Sequence, residues 1–177
     1  MIEENKSSVF WTWVACDEWK FIIAATEKGL LFVGSPNMTY EDLAGWVSRR
    51  EPDCLLIKDD GRCELYTNQL IEYLKGQRTS FTIPMDVRGT SFQHEVWKAL
   101  HRIPYGQTWS YSDIAGQIGK PLSVRAVGSA IGANPLLITI PCHRVIAKSG
   151  LLTGYRGGLE MKEKLLEMEK HILQHHG

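Results

Sequence analysis

The run Pro141-Cys142-His143-Arg144-Val145 sets a thiol beside an imidazole, and those two groups together can do nucleophilic chemistry. A cysteine attacks as thiolate, yet an unperturbed thiol of pKa about 8.5 is only a few per cent ionised at neutral pH. It needs a base, and His143 is adjacent. In a regular strand neighbouring side chains point to opposite faces, so the pair can cooperate only where the backbone turns sharply. Pro141 allows such a turn. The preceding Leu136-Leu137-Ile138-Thr139-Ile140 is apolar and β-branched, which predicts a buried strand delivering Cys142 to a sheltered position at its end. Taken alone, a Cys-His dipeptide is a weak signal. It reads more readily as a small buried hydrophobe followed by a satisfied surface histidine.

Three helices are predicted ahead of this run. Thr90 and Gln93 have capping-box spacing for a first helix whose Phe92, Val96, Trp97 and Leu100 share a face, and Ile103-Pro104-Tyr105-Gly106 ends it. A second begins near Ser110, with Asp113 three residues on, and stops at Gly119 before Pro121. A third runs from about Ser123 to Asn134, where Pro135 forbids continuation. The short connection Gly119-Lys120-Pro121-Leu122 makes the last two a candidate helix-turn-helix. On the third helix Val124, Val127 and Ile131 face the core, while Arg125, Gly128, Ser129 and Gly132 occupy a neighbouring, nearly bare face. A glycine inside a helix costs roughly 1 kcal/mol relative to alanine, so two on one face imply that something approaches the backbone closely. That something is another helix or DNA, and Arg125 on the same face favours DNA.

Residues 1–85 hold 9 Lys+Arg against 13 Asp+Glu, residues 86–158 hold 8 against 3, and residues 159–177 hold 3 against 4. The net charge of zero therefore hides a basic middle section able to meet phosphates. From Val9 to Val33 the chain alternates and favours β-formers, with Glu27-Lys28-Gly29 as a turn, which predicts a small antiparallel sheet. Two helical stretches follow, about Tyr40–Arg49 and Leu65–Lys75, and a polar segment, Gln77 to Arg88, reads as a linker. The class predicted is α+β: an N-terminal sheet-plus-helix domain (1–80), a linker (81–88) and a mostly helical, winged helix-turn-helix-like domain (89–177). No apolar run approaches the ~20 residues that span a bilayer, and the acidic N-terminus is not that of a signal peptide. A cytoplasmic protein is expected. Its four cysteines, Cys16, Cys54, Cys63 and Cys142, form no C-x2-C pair of the zinc-binding kind and read as reduced thiols, with no metal site.

The stretch Asn134 to Val145 closely resembles the active-site signature of the O6-alkylguanine-DNA alkyltransferases, also called methylated-DNA–protein-cysteine methyltransferases. Phe92 to Leu100, Tyr105-Gly106 with Ser110-Tyr111, Arg125-Ala126-Val127-Gly128 and Gly154-Tyr155-Arg156-Gly157-Gly158 follow in the family's order and spacing. The resemblance implies that Cys142 accepts an alkyl group from O6 of guanine in double-stranded DNA, once per molecule, with no cofactor and as a monomer. His143 would deprotonate it through a bound water, and Glu169 would orient the imidazole. By residue type alone Glu169 reads as part of a solvated helix face, since Glu160, Glu163 and Glu167 share the helix. Tyr111 would hydrogen-bond or protonate the leaving base at N3, and Asn134 would hold the turn between recognition helix and active site. Arg125 would fill the gap left by the extruded nucleotide, and Ser110, Gly128, Ser129 and Gly132 would face the DNA. Val145, Tyr155, Arg156 and Gly157 would wall the base pocket. Arg156 departs from relatives with a small residue there, and Gly132 from those with an arginine. The alternatives are a cysteine hydrolase, which would turn over, and a non-catalytic lesion-binding or regulatory protein. Lesion sensors of this kind lack the acceptor cysteine, which is present here.

Overall fold

The computed structural model describes residues 6–176. Between Ser8 and Val33 the chain forms three strands. β1 (Ser8–Cys16) pairs antiparallel with β2 (Trp19–Thr26), and β2 with β3 (Gly29–Val33). A fourth strand, β4 (Leu55–Lys58), adds in parallel to the free edge of β1, giving the order β3-β2-β1-β4. The sequence reading missed β4, because four residues between helices hold too few periods to separate a strand from a loop. Phe10, Val14, Phe21 and Ile23 face one side of the sheet, towards α2 (Asp60–Leu74). Val9, Ile22, Ala24 and Phe32 face the other, covered by Leu43 and Val47 of α1 (Tyr40–Arg50). The helix α2 begins at Asp60, five residues before the expected Leu65. Asp59 caps it by accepting from the Arg62 amide at 3.0 Å, so an Asp-Asp-Gly run that resembles a turn starts a helix instead.

The segment read as a linker is pinned to the sheet. Leu30 N donates to Pro84 O at 3.0 Å and Asp86 N to Leu30 O at 2.8 Å, while Gln69 of α2 holds Thr82 through both its side-chain atoms. Ile83 is buried. The approach is closest at Gly29, where φ is +152° and a Cβ would lie 2.6 Å from the Pro84 carbonyl carbon and oxygen.

Beyond it come α3 (Ser91–Leu100), α4 (Tyr111–Gln117) and α5 (Val124–Gly132). Both expected capping boxes form, Thr90 with Gln93 and Ser110 with Asp113. Gly119, at φ +70°, turns the chain after α4. Val127 and Ile131 are buried as expected, and Trp97 Nε1 donates to Ala130 O at 2.9 Å, locking α3 onto α5. Two short strands, β5 (Trp109–Ser110) and β6 (Val145–Ile146), pair in parallel beside the helix pair. The long C-terminal helix α6 (Leu159–His176) closes the molecule. Phe10, Leu70, Val96, Val127, Leu136 and Leu165 belong to one continuous buried cluster, so N- and C-terminal elements share a core.

Residues 136–140 are buried, but the predicted strand is absent apart from a single bridge between Val33 and Leu136. The chain instead folds back: Ile140 N donates to Leu136 O at 3.1 Å, Thr139 N to Leu137 O at 2.7 Å, and Ile138 takes φ +69°. The reason is Asn134. Its side chain accepts from Leu136 N at 2.9 Å and donates to Leu136 O and Ile140 O at 3.2 Å, satisfying inside a tight turn the groups that a neighbouring strand would otherwise have paired.

Gly29→Ala forces the buried linker off β3 and is expected to lower stability by about 2 kcal/mol. Urea unfolding of the full chain checks this; an unchanged midpoint would show that the linker yields freely.

Candidate active site and nucleic-acid interface

The turn built on Asn134 delivers Cys142 to a one-turn 3-10 helix, Cys142–Arg144. Asn134 Nδ2 also reaches Cys142 Sγ at 3.1 Å, so one amide organises the turn and solvates the sulfur. Cys142 is only 3% exposed. Burial pushes its thiol up, and the Asn134 hydrogen bond together with the nearby charges of Arg156 and Lys162 pulls back against it.

The same short helix places His143 and Arg144 against α6. His143 Nε2 lies 2.7 Å from Glu169 Oε2. Arg144 donates to both carboxylate oxygens, Nε to Oε1 at 2.8 Å and Nη2 to Oε2 at 3.0 Å, and its Nη1 donates to Ile103 O at 3.0 Å. Gly106 N adds a bond to Oε1 at 3.2 Å, and the Tyr73 hydroxyl donates to Oε2. Burial pushes the Glu169 carboxyl up, but the hydrogen bonds from His143 and Arg144 and the charge of Arg144, joined by that of His143 once acid protonates it, outweigh it and hold the group at about 2. Glu169 is thus an anion and can only accept, which requires His143 to carry its proton on Nε2. The lone pair is then on Nδ1, which has no protein hydrogen-bond partner among the described residues. Burial lowers the imidazole, and the pull of Glu169 only partly opposes this. His143 is therefore neutral at neutral pH. No direct hydrogen bond joins it to Cys142 among the described residues.

An open cavity of about 620 Å³ lies between the helix pair and the loop before α6, lined among others by Tyr111, Gly128, Gly132, Thr153, Tyr155 and Arg156. Tyr111 opens α4, and its hydroxyl hydrogen-bonds Thr153 Oγ1 at 2.8 Å. The Thr153 carbonyl accepts in turn from Lys162 Nζ at 3.0 Å, and Lys162 is almost fully buried. Val145 is buried in β6. Tyr155 has no partner for its buried hydroxyl among the described residues. Gly157 has no room for a side chain, because a Cβ would lie 2.4 Å from Met161 Sδ and 2.7 Å from Tyr155 Cε1.

On α5, Arg125, Ser129 and Gly132 are exposed. A Cβ on Gly132 would meet nothing within 4 Å, and one on Gly128 only the Tyr111 ring, at 3.8 Å. Among the described residues only the Tyr111 ring borders that face, at Gly128, and nothing covers Gly132, which leaves it open to a partner outside the molecule. Ser110 lines the same cavity and caps α4. The side chain of Arg156 is engaged by the protein itself. Its guanidinium donates to the Asn134 carbonyl at 3.0 Å, Pro135 O at 3.0 Å and Val33 O at 2.8 Å, and stacks 4.9 Å from the Phe32 ring centre. It ties the sheet to the active-site turn.

Sequence reasoning did not assign Tyr73, Gly106, Arg144 or Lys162. For Arg144 the signal was its place in the Cys-His-Arg run; for Tyr73, 70 positions from His143, local pattern offered none.

A helix pair with an uncovered glycine face, set beside a buried thiol and a polarised imidazole, defines a DNA-binding protein that carries its own nucleophile. A profile of the 6-O-methylguanine DNA methyltransferase DNA-binding domain matches residues 91–171, and one of the same family's ribonuclease-like domain matches residues 9–87. The chain belongs to the 6-O-methylguanine DNA methyltransferase family. It is 56% identical over 169 residues to an inducible methylated-DNA–protein-cysteine methyltransferase of Bacillus subtilis, covering 96% of this chain and 94% of the relative. The crystal structure of Mycobacterium tuberculosis O6-methylguanine methyltransferase superposes with a TM-score of 0.79 at 41% identity, over 92% of this chain and 93% of the other. That of M. tuberculosis OGT in complex with DNA superposes with a TM-score of 0.79 at 39% identity, over 92% and 94%.

The charge on Glu169 has a measurable cost in acid. Its stabilising contribution is fully present above the ordinary 4.5 and is lost as pH falls towards about 2. The stability gap between wild type and Glu169→Gln, about 3 kcal/mol at pH 7, is therefore expected to narrow through that window. Unfolding midpoints measured from pH 7 to pH 2.5 test it; a gap independent of pH would contradict a buried carboxylate.

Proposed function

We propose that this protein repairs double-stranded DNA by moving an alkyl group from O6 of guanine to Cys142 Sγ, one transfer per molecule, with no cofactor. The observation that carries the reading is the buried His143–Glu169 pair fixed next to Cys142 in sequence, with Nδ1 left as the only basic ring atom. Cys142 begins as a thiol, and its proton passes to His143 Nδ1 through a bridging water. Sulfur then attacks the alkyl carbon in line as the bond from that carbon to O6 breaks. Tyr111 hydrogen-bonds or protonates the base at N3; with its proton transferred guanine leaves neutral, and the proton taken up by His143 returns through water to the tyrosinate. Glu169 orients and charge-balances the imidazole, and Asn134 holds the turn and the sulfur.

A base stacked inside a duplex cannot reach a thiol that is 3% exposed, so the alkylated nucleotide must be extruded, which is cheaper for a badly paired base. In this reading α5 lies in the minor groove, its Gly128, Ser129 and Gly132 admitting the backbone, with Ser110 at the neighbouring helix start. Arg125 enters the vacated stack. Val145, Tyr155 and Gly157 wall the pocket, and Arg156 contributes its backbone amide only, its side chain being committed to three carbonyls. The protein acts as a cytoplasmic monomer, with residues 1–80 supporting a DNA-binding and transfer domain at 89–177 and 81–88 joining them. The separate profile matches to 9–87 and 91–171 support that division.

Incubation with duplex carrying radiolabelled O6-methylguanine is expected to place one label per protein on Cys142, with Cys142→Ala binding the duplex but accepting nothing. Product formed over many turnovers by unlabelled protein would defeat the proposal. Arg125→Ala should slow transfer from duplex by about ten-fold or more and spare the free base, as single-turnover rates on the two substrates would reveal. Because burial keeps His143 below its ordinary 6.5, transfer should be insensitive to pH just above neutrality and fall only on the acid side of 6.5.

A further inference from the structure

The Tyr73 side chain is the one contribution of α2 to the charged cluster around Glu169. It is completely buried, and its ring is fixed by Phe81, with centroids 5.4 Å apart, and by the edge of Tyr105 at 6.1 Å. Its hydroxyl donates to Oε2 of Glu169, the same oxygen that holds His143 Nε2 at 2.7 Å, and stands 3.5 Å from Nε2 itself. With Arg144 Nη2 at 3.0 Å, three donors thus divide one carboxylate oxygen.

We propose that Tyr73 is a positioning residue for alkyl transfer: by occupying part of Glu169 Oε2 it sets how strongly that carboxylate favours a protonated His143. The N-terminal half of the chain thereby adjusts the base that activates Cys142. This rests on His143 acting as the base in the reading above. A carboxylate that accepts a further hydrogen bond has its charge partly satisfied and stabilises a neighbouring imidazolium less. The other groups facing this cluster are Arg144, which forks onto both carboxylate oxygens; Lys162 from α6; Tyr105, whose ring lies 5.4 Å from the Arg144 guanidinium; His101 after α3; Tyr155 from the loop before α6; and Cys142. Arg144 and Lys162 oppose a proton on His143 and Glu169 favours it. Tyr73 works on that favourable partner, and burial keeps its own hydroxyl protonated and therefore a donor.

Removal of the hydroxyl by Tyr73→Phe keeps the ring packed between Phe81 and Tyr105 and leaves Oε2 to His143 and Arg144 alone. The acid limb of the transfer rate against pH is then expected to move up by about half a unit or more, and the His143 imidazole to titrate higher by NMR in the DNA-free protein. Should Tyr73→Phe fail to fold, site-specific 3,5-difluorotyrosine at 73 keeps the shape and strengthens the donor, and both readings should move down. A rate reduced by the same factor at every pH, with the His143 titration unmoved, would overturn the proposal and leave Tyr73 a packing residue. Wild-type protein that titrates at His143 but never labels Cys142 would instead refute the transfer reading, while the NMR comparison still decides the role of Tyr73.

Discussion

A carboxylate cannot be buried without compensation: desolvation of an isolated charge costs many kcal/mol, and such a group survives only when paired and fully hydrogen-bonded. Glu169 meets that condition with donors from three other parts of the chain. Tyr73 comes from α2, Gly106 from the loop before β5, His143 and Arg144 from the 3-10 helix, and Glu169 itself from α6. Gly106 can approach only because it has no side chain: with φ at +79°, a Cβ there would lie 2.1 Å from Leu173 Cδ1. The tautomer of His143, the direction of Arg144 and the path of the loop at Gly106 are all consequences of neutralising one anion.

The second constraint is the turn that carries Cys142. Asn134 satisfies its inner carbonyls and amide, and Arg156 satisfies the outer ones, the carbonyls of Asn134 and Pro135, while reaching across to Val33 of β3. Arg156 is itself buried enough that desolvation lowers its guanidinium, and the nearby Cys142 and Tyr155 work in the opposite direction. A polar residue at each side of an apolar turn keeps the backbone paired where no sheet is available.

What could be read in advance follows the range of the interactions. The capping boxes at Thr90 and Ser110 are decided within four residues, and both helices start where their caps put them. The alternation in β1 to β3 was equally local. Residues 136–140 misled, because an apolar β-branched run signals burial, and only the Asn134 side chain decides that the buried backbone turns rather than extends. Glu169 gave the opposite lesson: three neighbouring glutamates made it look solvated, and only resemblance singled it out. The donors Tyr73 and Gly106, 96 and 63 positions from Glu169, leave no trace at short range. Arg156 was assigned only a place in the pocket loop, and the task of its side chain could not be read, since its partner in β3 lies 123 positions away.

The open face of α5 bears on how such a protein searches. Helices that recognise an operator do so with side chains that hydrogen-bond to base edges in the major groove, and each good pair discriminates by about 1–3 kcal/mol. At Gly128 and Gly132 there are no such side chains, and Gly132 has only empty space above it. Docked as proposed, the helix is deaf to sequence and sensitive mainly to the shape of the groove and the ease with which a base leaves it. Damage arises in every context, and a reader with no vocabulary of its own is the one least delayed by undamaged DNA.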